Sequence, residues 1–146
     1  MKIEQNKNIR ERWIGSLFEL AHIEYQKRLW IDAEFENEIS DYNECVCKYF
    51  DDLNLENGYA EYISDGIISK NDAEIVAEMH TEFRNYTERT EKRNLSDKKV
   101  LKDIEWKNFT KLALETWNKL KTETESIELR NLMLESEKDY VRKNAR

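Results

Sequence analysis

The sequence predicts an all-α protein, a single-domain bundle of four or five helices, on three observations. The 146 residues contain no proline and only three glycines, Gly15, Gly58 and Gly66, so little interrupts a helix and no glycine-rich phosphate loop can form. Apolar residues recur every three or four positions along most of the chain. The length suffices for one continuous core without disulfides or metal. Residues 1–121 are expected to form the bundle and residues 122–146 a helical extension of the same domain.

The first helix is expected from about Ile9 to Ala33, with Trp13, Leu17, Leu20, Ala21, Tyr25, Leu29 and Trp30 on its inner face and a bend near His22. The second runs from a cap at Ser40 or Asp41 to about Leu55 and is the most sharply two-faced segment. At 100° per residue, Tyr42, Cys45, Val46, Tyr49, Phe50 and Leu53 share one arc, while Asp41, Glu44, Asp51 and Asp52 lie opposite. Residues 59–68 read as a connector holding one short helix. Ser69 and Asp72 have capping-box-like spacing ahead of a third helix bearing Ile75, Val76, Met79, Phe83 and Tyr86. "TERTEKRNLSDKK" (87–99) reads as a solvated loop. The fourth helix, roughly Val100 to Lys121, aligns Trp106, Phe109, Ala113, Trp117 and Leu120 as core. After Thr122, Ile127, Leu129, Leu132, Met133 and Tyr140 suit a fifth helix that lies on the bundle or pairs with another copy.

Charge is the strongest functional signal. The formal net charge is −7, but residues 31–80 hold fourteen acids against two basic residues, whereas residues 81–146 hold thirteen against sixteen. Solubility does not require one fifty-residue stretch to lack nearly all its cations. On the third helix Glu74, Glu78 and Glu82 follow one another at four-residue intervals and repel. Such a surface disfavours direct nucleic-acid or anionic-membrane binding and attracts basic proteins. The candidate partner-binding residues are therefore Asp41, Glu44, Asp51 and Asp52, with Glu74 and Glu78 as a second ridge. An ordinary hydrated face is the competing reading of the same acids.

Motifs for chemistry are sparse. "ELAH" (19–22) sets Glu19 and His22 three apart, the unit diiron bundles use twice, but His80 has Ala77 at the matching position and the second unit is missing. "EISD" (38–41) resembles half of the acidic motif of all-helical, magnesium-dependent nucleotide pyrophosphatases, without a Glu-x-x-Glu partner on the preceding helix. Cys45 and Cys47 point about 200° apart and read as reduced thiols, Cys45 in the core; a Cys47–His80 pairing ranks low. No cofactor, metal or catalytic residue is assigned, and the expectation is a non-enzyme. No apolar run suits a membrane span or a secretory leader, which points to the cytoplasm.

Four segments in this order, "YQKRLW" (25–30), "YNECVCKYFDDLNL" (42–55), "DGIISKNDAEIVAEM" (65–79) and "EWKNFTKLALETW" (105–117), resemble a widespread family of small, poorly characterised bacterial helical proteins, some proposed as toxin-immunity proteins. The closest likeness is the Phe50, Asp51, Asp52 element, and the chain departs at Cys47, where members often carry histidine. The resemblance implies a bacterial cytosolic protein that works by binding. Together with the acidic segment it yields the expected function: an immunity protein that neutralises a cognate basic protein toxin, possibly a nuclease. The alternatives are a magnesium-dependent pyrophosphatase-like enzyme using Glu38 or Asp41, and a self-associating structural protein; the oligomeric state is left open.

Overall fold

A computed structural model describes residues 2–35 and 38–144, with backbone but no side-chain detail at Asn144. All regular structure among them is helical: α1 (Lys2–Ala21), α2 (Ile23–Trp30), α3 (Tyr42–Cys47) continuing into a π-helical turn (Lys48–Asp52), α4 (Ala60–Ser64), α5 (Lys70–Glu88), α6 (Thr90–Arg93), α7 (Asp97–Lys102), α8 (Ile104–Glu123) and α9 (Ile127–Asn144). The all-α class is as expected, but the count of four or five is not: nine α-helices are present among the described residues.

Local breaks explain the difference. The bend near His22 is a full interruption, with His22 extended between α1 and α2 and Gln26 bonding back to its carbonyl. In the segment read as a solvated loop, Ser96 caps α7 by accepting the Lys99 N–H, and Val100 is fully buried, so the stretch forms two short helices instead. The third-helix start is as anticipated, because Ser69 accepts the Asp72 N–H.

Helix α8 is the spine, packing against α1 on one side and α5 on the other, while α9 covers α1 and α8. Trp106 and Phe109 of α8 meet Phe83 of α5, with the Phe83 and Phe109 rings stacked 5.2 Å apart. Leu129 and Met133 anchor α9 in the core. Buried polar tips are joined as burial demands: Trp106 donates to Gln26, and Trp13, Tyr59, Tyr49 and His80 form one hydrogen-bonded chain. Burial, then Arg84, lowers the His80 pKa.

The π turn follows from where its side chains must go. The Leu53 N–H bonds the Lys48 carbonyl five residues back, the wider ring characteristic of a π segment. Tyr49 is thereby wholly buried, Phe50 stacks on Phe83, and Asp51 and Asp52 remain exposed. Asn54 ends the segment at φ 55°, a left-handed conformation that asparagine tolerates better than most residues.

Candidate functional site

A cleft of about 470 Å³ lies between α1 and α3, closed at one end by residues 38–40. Its floor is Glu19, which is only 4% exposed. One carboxylate oxygen accepts both the Trp30 indole N–H and the Ser40 hydroxyl, each at 2.8 Å. The other takes the Lys48 ammonium at 3.0 Å. A buried carboxylate is tolerable only when paired and hydrogen-bonded in this way. Burial alone would lower the Lys48 pKa, but Glu19 overcomes that and raises it.

Arg12, Gly15, Ser16 and Tyr25 from α1 and α2, and Glu38, Glu44 and Asp52 from the other side, complete the walls. Burial, reinforced by Glu38 and then Glu19, pushes the Tyr25 hydroxyl far up, so it stays protonated. Glu38 is held by Lys143 of α9 at 2.6 Å. The buried Ser16 hydroxyl and one Glu38 oxygen have no hydrogen-bond partner.

The candidate partner-binding acids do not share one depression. Glu44 and Asp52 line the cleft just described. Asp51 lines a second, of about 240 Å³, beside Cys47, Arg84 and Arg93. Glu78 faces a third, between α5 and α8, with Glu82 and Arg89. Asp41 caps α3, its carboxylate accepting the Glu44 N–H at 2.6 Å, and Glu74 is exposed on α5. All six are exposed, and none is in an ion pair among the described residues.

Cations do reach this region, but they bond other groups. Arg12 donates to the Asp52 backbone carbonyl at 3.2 Å, Arg84 donates to the Glu56 carbonyl and the Glu88 carboxylate, and Arg93 donates to the Asn43 side chain at 2.6 Å. The carboxylates therefore keep their field.

The motifs considered for chemistry are taken apart by the fold. Glu19 turns to Trp30, Ser40 and Lys48, whereas His22 bonds the Phe18 carbonyl and packs on Phe18 and Trp117. Asp41 is engaged as a cap and Glu38 with Lys143. Among the described residues no group of three or more His, Cys, Asp or Glu side chains is placed to hold a metal ion. Cys45 is buried, and burial first, then Glu19, pushes its thiol well up. Cys47 lies 3.8 Å from Arg93, and His80 bonds Tyr49, so no hydrogen bond joins those two candidates.

Sequence reasoning missed Ser16, Ser40 and Lys48 as cleft residues. A second groove, of about 600 Å³ and mainly apolar, runs between α2 and α8 and includes Lys27, Lys107 and Lys111. No described helix is long and apolar enough to cross a membrane. No family model matches the chain, and neither a curated protein nor a solved structure resembles it significantly.

Proposed function

We propose that this is an immunity-type inhibitor, a bacterial cytoplasmic protein that binds and neutralises a cognate basic protein toxin, possibly a nuclease, through the carboxylates of residues 31–80. The observation that carries the reading is that Asp41, Glu44, Asp51, Asp52, Glu74 and Glu78 stand exposed and outside every ion pair among the described residues, although arginines lie beside them. Unneutralised charge of one sign accelerates encounter with a surface of the other. Residence time then comes from one or two buried contacts.

The test begins with capture from a bacterial lysate at low and high salt, using the whole chain as bait, followed by association kinetics with the purified partner. A basic toxin retained at low salt is the expected result. Replacing both Asp51→Lys and Asp52→Lys should slow association about tenfold or more at low salt and flatten its salt dependence, with dissociation changing less. Equal association rates for the double variant and the parent protein, or no basic protein captured at low salt, would overturn the reading.

A further inference from the structure

We propose that the cleft between α1 and α3 seats the guanidinium group of an arginine side chain presented by the basic partner. The inference rests on the reading above and supplies the buried contact that the exposed acids cannot provide.

The cleft has hydrogen-bond acceptors in surplus. Glu19 is saturated by Trp30, Ser40 and Lys48 and serves as a fixed wall. Beyond it, the Ser16 hydroxyl and Glu38 Oε2 are buried without partners, and Ser16 as a whole is only 5% exposed. Buried polar atoms in folded proteins are nearly always partnered, so an orphaned one facing a cleft calls for a group that completes it. Glu44 and Asp52 add two carboxylates without ion pairs.

The sign of the missing group follows from the charges. Four carboxylates, Glu19, Glu38, Glu44 and Asp52, line the cleft against two cations, Arg12 and Lys48. With Lys143 counted on Glu38, an anionic excess remains. The shape of the missing group follows from the acceptors, which are dispersed over both walls. A guanidinium offers five N–H donors in a rigid plane and is weakly hydrated, whereas an ammonium offers three from one point and is costlier to strip of water. Room is provided at Gly15, where an added Cβ would meet no atom within 4 Å.

The probe is N-acetyl-arginine amide, followed by amide NMR on the whole chain, with N-acetyl-citrulline amide as its uncharged isostere. The arginine compound should move the signals of Gly15, Ser16, Ser40 and Glu44, and the citrulline compound should not. Gly15→Trp, which fills the opening, should abolish those shifts while Gly15→Ala keeps them. Should Gly15→Trp fail to fold, Asp52→Asn is the second variant, and it should raise the half-saturating concentration about tenfold, as loss of a charge-assisted hydrogen bond does. Arg12→Ala removes a like charge and should tighten binding.

Cleft signals that stay still, that respond equally to both compounds, or that respond less in Arg12→Ala would overturn the proposal. Its failure is separable from failure of the inhibitor reading. Arginine amide seated in the cleft with no basic protein captured leaves the cleft standing and sinks the toxin. A toxin that leaves the parent protein and Gly15→Trp at equal rates sinks the cleft and leaves the inhibitor.

Discussion

Residues 31–80 and 81–146 hold nearly equal numbers of acids, fourteen and thirteen, yet only the second set is widely neutralised. In the later region Glu88, Glu91, Asp103, Glu105 and Glu137 are all tied to arginine or lysine. In the earlier one, only Glu34 and Glu38 are in ion pairs among the described residues, with Arg28 and Lys143. The contrast is set by the cations, two against sixteen. It teaches that surface potential depends on which charges lack a counterion within reach, and that a count of acids alone is a poor guide to it. Exposed pairs stabilise a fold by at most about 1 kcal/mol, so leaving the earlier set unpaired costs little stability and preserves a long-range field.

The largest expected effect comes from the one acid that breaks this division, since Glu19 belongs to neither region and is buried in both its oxygens' bonds. Glu19→Ala should destabilise the protein by about 3 kcal/mol, because Lys48, Trp30 and Ser40 all lose their acceptor. Urea denaturation measures this. A loss within the ordinary range of an exposed acid would mean the cleft floor is not structural.

Acid titration sharpens the comparison next. Burial alone would raise the pKa of Asp103, but hydrogen bonds from Lys92 and Tyr86 overcome it and hold the carboxyl below its model value of 3.8. Glu137, opposed by burial and held down by Lys121 and Trp117, is lowered likewise from 4.5. A group depressed in the folded state stabilises above its unfolded pKa, and that contribution is lost as pH falls through the folded one. Stability should therefore drop from about pH 4 downward, and Asp103→Asn with Glu137→Gln should flatten that limb. Neutralising Asp51 and Asp52 should leave it unchanged, as thermal melts between pH 3 and 7 would show.

The smallest effect lies on α5. Glu78→Gln removes like-charge repulsion from both Glu74 and Glu82 and should raise stability by a few tenths of a kcal/mol, about the value of two such pairs. A denaturation midpoint that shifts downward would show that Glu78 has a favourable interaction at the α5–α8 groove.

The fold was largely legible because periodic apolar residues report their own burial: Trp13, Tyr49, Phe83, Trp106 and Trp117 are all inside as read. What was misread is where short helices hide in charged sequence. Thr90–Arg93 and Asp97–Lys102 carry one fully buried residue between them, Val100, and a single apolar position has no period. The serine cap at Ser96 was the available signal. The site was legible only in its exposed acids. Glu19 sits amid apolar residues with partners 11, 21 and 29 positions away, and no local pattern announces a contact closed by tertiary packing. Ser16 was invisible for the same reason.

The π turn at Lys48–Asp52 also fixes how the chain responds to a change of length. An insertion of a single residue is what distinguishes a π ring from an α ring, so excising any one residue here would restore regular winding and swing everything downstream by about 100°. Leu53 and Leu55, both interior, would be carried toward water, and the two aspartates would exchange the hollows they face. Substitutions along this stretch adjust charge, whereas a one-codon deletion would re-aim the whole face.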